Sequence, residues 1–263
     1  MLRGWWRQLA RRRRPSPIDE LAWRTALERA PLARRLAVAD IQALRDLVAR
    51  FLDRKRFHAI ADAPLDDQWR LLIAIQACLP VLRQGAGALR GWSDIVVYPG
   101  EFRVRRNHRD ERTGVVSESS DVLIGEAWER GPLVLSLANV ALDLEEPWEG
   151  YNVVVHEMAH KLDMLDGPAN GVPPLPASIV RREWIAHFQA AFDRLGRDVR
   201  RGRRTLIDPY AAEDPQEYFA VTSELHFSQP SLLADVEPDI AKLLTAFYGP
   251  SPAPALSFHP GAA

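Results

Sequence analysis

Five consecutive residues, His156-Glu157-Met158-Ala159-His160, constrain this chain more than any others. On a helix, side chains four apart stand one above the other on the same face. Two imidazoles so placed reach a single metal ion. Glu157 then lies beside that ion, where it can take a proton from water; this is the arrangement of zinc peptidases. The fold must therefore supply a helix here, with its histidine face turned inward. The apolar positions Val155, Met158, Ala159 and Leu162 keep the helical period through the motif. Tyr151-Asn152-Val153-Val154-Val155 leads in and Gly167-Pro168 stops the helix. These flanks are too apolar for a solvated helix carrying two surface histidines. Asp163 falls on the histidine face, where a carboxylate can accept the N–H of an imidazole and fix its tautomer.

A catalytic zinc has three protein ligands and one open position. The motif supplies two. The segment from Asp208 to Glu224 offers the third. Asp214 suits an N-cap and Pro215 the first helical position, which puts Glu217 at the third and also at capping-box spacing. Glu217 and Glu224 are seven apart and share a face. One is expected to ligate the metal, with the other orienting a ligand or facing solvent. A structural zinc would close its site with four protein ligands. Only three good candidates are present, with no cysteine near them.

The words His156-Glu157-Met158-Ala159-His160-Lys161-Leu162-Asp163 and Glu217-Tyr218-Phe219-Ala220-Val221-Thr222-Ser223-Glu224, followed by Phe227-Ser228-Gln229-Pro230, resemble the Mlc titration factor A family. The resemblance is sharpest from about Asp94 to Pro230. It implies a cytoplasmic zinc peptidase whose catalytic domain is similar to that of anthrax lethal factor. Carried over by position, it implies His156, His160 and Glu217 as zinc ligands, Glu157 as general base and Tyr210 as donor to the developing oxyanion. It also implies trimming of short peptides from the amino end. A second role follows from the family name: binding a DNA-binding repressor of sugar uptake genes, Mlc, with or without hydrolysis. Zinc peptidases in general carry an uncharged residue after the second histidine, whereas this chain has Lys161.

A peptidase needs a place to lay an extended substrate. Val122–Trp128 and Leu133–Val140 read as two strands joined by Glu129-Arg130-Gly131-Pro132, and an exposed edge there could pair with a peptide. Asp94–Tyr98 and Phe102–Val104 read as further strands around Pro99-Gly100-Glu101. The expected class is α+β: a zincin-like metallopeptidase domain with a small mixed sheet and a metal-binding helix, preceded by a mostly helical region.

Along the chain, residues 1–17 form a basic tail, 18–91 a helical region packed on the core, 92–248 the catalytic region and 249–263 a disordered tail rich in Pro, Ala and Gly. The first 17 residues interleave Arg3, Arg7 and Arg11 to Arg14 with Trp5, Trp6 and Leu9. That pattern suits a solvated tail or an interfacial helix. A net charge of −1 gives no drive toward nucleic acid or membrane. The single Cys78 excludes an internal disulfide and fits a reducing compartment. Its apolar run, Leu71 to Leu79, is too short to span a bilayer, and no secretory signal is visible. His58, His108, His187, His226 and His259 lack metal-ligand spacing, though His226 lies close to Glu224. Arg194 to Arg204 reads as a solvated loop, Gly85-Ala86-Gly87 is no phosphate loop, and Asp166 to Pro176 is an irregular segment near the motif.

Overall fold

In the computed structural model, residues 15–100, 106–109, 116–119 and 131–254 are described. The chain opens with helices α1 (Glu20–Glu28), α2 (Pro31–Arg34) and α3 (Val38–Arg54). Asp19 caps α1 by accepting from the Ala22 N–H. In α3 the apolar period buries Leu44, Leu47, Val48 and Phe51. A short strand follows, β1 (Arg56–Ala59), in a region whose sequence reads as helical. Helix α4 (Asp67–Cys78) begins at the cap Asp66 and buries every side chain from Leu71 to Cys78. Helices α1 and α3 pack on it, as does the later helix Val153–Asp163. Cys78 within it is fully enclosed, and burial raises its thiol far above the ordinary range.

Strand β2 (Asp94–Tyr98) pairs in parallel with β1, placing Arg56 opposite Asp94. A separate antiparallel ribbon joins β3 (Arg106–Arg109) to β4 (Val116–Ser119). Strand β5 (Leu133–Ser136) pairs in parallel with the other edge of β2, so the sheet order is β1-β2-β5. The α+β class holds. The sheet's strands are all parallel among the described residues, where the sequence suggested a mixed sheet. Phe102–Val104 and Val122–Trp128 lie outside the described residues, as do 1–14 of the basic tail and 255–263 of the C-terminal one.

The expected strand Leu133–Val140 is half helix. It ends at Ser136, whose hydroxyl accepts from the Asn139 N–H and starts α5 (Leu137–Glu145). A serine hydroxyl offered to the backbone favours a helix start over a continuing strand. Helix α6 (Val153–Asp163) carries the histidine motif, as its spacing predicts. Helix α7 (Arg181–Arg200) takes in most of the arginine run expected as a loop, burying Trp184, Phe188, Ala191 and Leu195 on one side. A single 3-10 turn, Pro209–Ala212, precedes α8 (Pro215–Ser228), then α9 (Pro230–Val236) and α10 (Pro238–Tyr248).

Helix α8 is buried on all sides from Glu217 to Ser228. Its outer flank packs in an aromatic cluster: Trp184 stacks on Phe188 at 4.5 Å, and Phe219 and Phe247 meet Trp184 edge-on. Its other flank packs on α6. Among the described residues, no helix is long and apolar enough to cross a membrane.

Candidate metal centre

The entry of α6 is held by side chains from three directions. Asn152 is the N-cap, its Oδ1 accepting from the Val155 N–H at 2.9 Å. Asp143 on α5 accepts from the Val153 N–H at 2.7 Å. Burial pushes the Asp143 carboxyl up to about 6, against the pull of that N–H. Glu224 on α8 accepts from the Asn152 N–H. Gln76 on α4 accepts from the Asn152 amide at 2.7 Å. The helix that presents the histidines is thereby anchored to three neighbours before its first turn is complete.

Two turns of α6 then place His156 above His160. Their Nε2 atoms face each other at 3.1 Å. The first turn of α8 brings Glu217 to the same point, with Oε2 at 3.1 Å from the Nε2 of His156 and 3.4 Å from that of His160. The position of Glu217 follows from the cap that the sequence predicts: Asp214 accepts its N–H at 2.9 Å. Its carboxylate is therefore left free for the imidazoles.

Three electron-pair donors separated by 3.1–3.4 Å describe one face of a coordination tetrahedron. Ligands about 2.0–2.1 Å from a tetrahedral zinc lie roughly 3.3 Å from one another. Glu217 Oε2 is buried and makes no aligned hydrogen bond, although two ring nitrogens stand beside it. A buried carboxylate oxygen without a hydrogen bond is costly unless a cation satisfies it. His156, His160 and Glu217 thus fit a divalent metal ion, and they form the group among the described residues that could hold one.

The electrostatics point the same way. Burial disfavours charge on His156, yet Glu224 and Glu217 hold its imidazole well above the ordinary histidine value. Burial raises Glu217, and the two imidazoles outweigh it, leaving the carboxyl well below the usual range. A field that retains a proton among these groups also favours a metal cation in its place.

Glu224 takes the tautomer-fixing role for which the sequence suggested Asp163. Its Oε1 lies 2.8 Å from His156 Nδ1. That contact directs the Nδ1–H outward and leaves Nε2 as the free lone pair. Asp163 instead accepts the N–H groups of Asn170, Gly171 and Val172 at 2.6–2.9 Å, clamping the irregular segment after α6. Gly171 in that segment has φ +78°, and a Cβ built on it would stand 2.6 Å from the Pro215 carbonyl oxygen.

Glu157 is half-buried on α6, where its charge acts on both Lys161 and Tyr210. Lys161 is buried and donates to the Gly131 carbonyl at 3.0 Å, tying α6 to the chain just before β5. A lysine beside the second histidine is thus accommodated without facing the metal cluster. Tyr210 sits on the 3-10 turn, 39 % exposed, with its ring 6.2 Å from that of His156. Burial, and the charge of the nearby Glu217 carboxylate, raise its pKa above the ordinary phenol range.

Three other histidines lie elsewhere, while the His108 side chain and His259 fall outside the described residues. His58 pairs with Asp94 on the surface at 2.8 Å. His187 stands 3.4 Å from Asp239. His226 packs against Tyr248 and Phe227, and burial lowers it to about 4. Asp143 and the Tyr151–Asp208 contact are absent from any reading of the sequence, since nothing in the spacing relates them to the motif.

Comparison with known proteins adds the family context. A model of the glucose-regulated metallo-peptidase M90 family matches residues 3–249. Mlc titration factor A of Pectobacterium atrosepticum is 37 % identical over 235 residues, covering 88 % of this chain and 86 % of its own. Its counterpart in Escherichia fergusonii is 35 % identical over 237 residues, covering 89 % and 88 %. An uncharacterized protein of Synechocystis sp. is 35 % identical over 245 residues, covering 92 % and 88 %.

Proposed function

The chain belongs to the glucose-regulated metallo-peptidase M90 family, and on that premise we propose that it is a zinc-dependent peptidase of aminopeptidase type. The observation that carries this reading is the convergence of His156 Nε2, His160 Nε2 and Glu217 Oε2 within 3.4 Å of one another. Zinc suits that donor set and, when bound, polarises a scissile carbonyl and lowers the pKa of water.

The chain's own residues supply the remaining chemistry. Glu157 takes the proton of the attacking water and passes it to the leaving amine. Tyr210 donates a hydrogen bond from its hydroxyl to the carbonyl oxygen as negative charge builds there, a contribution of about 3 kcal/mol for such donors. Glu224 holds His156 in the tautomer that presents Nε2. The preference for free amino ends rests on the resemblance of the two motif words. A cytoplasmic location fits the single unpaired Cys78.

The test follows cleavage of an aminoacyl reporter, beside an amino-blocked peptide, while metal is stripped with a chelator and returned one ion at a time. Activity is expected to vanish with the chelator and to return with zinc, and Glu157→Gln is expected to keep the metal but lose at least a hundredfold in rate. Full activity in the metal-free protein would overturn the zinc-dependent mechanism, and no cleavage by the zinc-loaded protein would overturn the peptidase reading. Preferential cleavage of the blocked peptide would overturn the aminopeptidase reading alone.

The relatives' name favours a second reading, in which this chain also binds an Mlc-like repressor. Binding of that kind requires a surface and not an intact metal cluster. The Glu157→Gln variant is therefore expected to retain it.

A further inference from the structure

We propose that Tyr151 and Asp208 form a latch that positions the Tyr210 turn over the metal cluster, so that Tyr151 is a positioning residue for hydrolysis. The proposal rests on the peptidase reading above. Asp208 caps the turn Pro209–Ala212, and its two carboxylate oxygens serve opposite sides. Oδ1 accepts the Tyr210 N–H at 2.9 Å. Oδ2 accepts the Tyr151 hydroxyl at 3.1 Å. One carboxylate therefore bridges the backbone of Tyr210 to a side chain from the entry of α6, 57 residues away in sequence.

The other end of the bridge is fixed. Tyr151 directly precedes Asn152, whose N–H donates to Glu224, and Glu224 also holds His156. Tyr151 is thus seated on the rigid part of the site. The turn that it reaches packs on α7 and α8 through the fully buried Ala211, so the latch acts on the outward side of that turn, which carries Tyr210. It is one 3-10 turn, a geometry with poor hydrogen bonds, and it follows the irregular stretch 202–208. Tyr210 itself is exposed to solvent and packs no closer than 6.2 Å, ring to ring, on His156.

Reactivity depends steeply on where a donor stands; displacements of about 1 Å cost large factors in rate. The latch sets the height of Tyr210 over His156 without touching His156, His160 or Glu217. Tyr151 is 57 % exposed, far more than a residue kept for core packing, and its hydroxyl is engaged with Asp208.

The test is Tyr151→Phe, which keeps the ring and removes only the hydroxyl. Two readouts are taken. Amide exchange at Tyr210 and Ala211 is expected to accelerate about five-fold, the worth of one ordinary hydrogen bond. With zinc bound, kcat for the aminoacyl reporter is expected to fall by a similar factor, with zinc content and KM unchanged. In a Tyr210→Phe background the same change is expected to leave kcat as it was, because the latch acts through Tyr210.

Unchanged amide exchange overturns the latch whether or not the protein hydrolyses peptides. Faster exchange with unaltered kcat, or an equal fall of kcat in both backgrounds, overturns the positioning role. An inactive wild-type protein bears instead on the peptidase reading, and exchange still decides the latch.

Discussion

Between Glu217 and Glu224, geometry on the scale of single atoms favours Glu217 as the proposed ligand. Seven residues apart, they share one face of α8, and spacing alone assigns neither. Ascending α8 runs down α6: Glu217 meets the pair His156 and His160, while Glu224 meets His156 and Asn152. Antiparallel crossing therefore gives one carboxylate the Nε2 atoms and the other the Nδ1 atom. We expect Glu224→Gln to weaken zinc binding 10- to 100-fold, the usual cost of losing an anionic partner behind a ligating imidazole. Competition against a chromogenic chelator measures it. Affinity equal to the wild type would remove Glu224 from that role. Glu157, His156 and His160 were legible because a five-residue motif holds them together. Asp143, Asn152 and Asp208 were harder to find, since each acts on backbone N–H groups whose location depends on the fold.

At the scale of elements, what the sequence revealed was set by local signals strong enough to act alone. The helical period through Val155, Met158 and Leu162 marked α6, and Asp214-Pro215 marked the start of α8. Strand β1 carried no such signal: four residues long and mostly exposed, it has no alternating pattern, and only its pairing with β2 makes it a strand. Leu133–Val140 looked uniform because a buried strand and a buried helix both read as apolar runs. Ser136 was the cue that separated them. The clamp between α6 and α8 was invisible for a different reason. Gly171 combines φ +78° with a backbone oxygen 2.6 Å from where a Cβ would lie, a closeness set by tertiary packing. Gly171→Ala is expected to cost about 1–3 kcal/mol from the backbone conformation and the clash with Pro215. That lowers Tm by about 2–4 °C per kcal/mol in a protein of this size, as read by calorimetry. A midpoint within a degree of the wild type would show that α8 can yield at its first residue.

At the scale of the whole molecule, a metal ion at this cluster staples α6 to α8, whose ligands His156 and Glu217 are separated by most of the irregular chain and all of α7. An ion that binds only the folded state stabilises it by about 2.7 kcal/mol at a hundred times its Kd. The gain depends on pH with a definite sign. Without metal, the raised His156 holds a proton that stabilises the folded chain at low pH, and this contribution is lost as pH rises through its folded value. Bound metal requires that proton to leave. The difference in Tm between zinc-loaded and chelator-treated protein is therefore expected to widen from pH 5 to pH 8; a constant difference would mean that no proton is exchanged for the ion. The enclosure of Cys78 within α4 has a wider consequence. The chain's lone sulfhydryl is kept from solvent as an un-ionised thiol, and the metal cluster is built from imidazole and carboxylate, which do not enter the sulfur oxidation ladder. Peroxide that silences thiol-dependent hydrolases therefore meets no exposed thiol among the described residues, and the proposed hydrolysis is expected to need none.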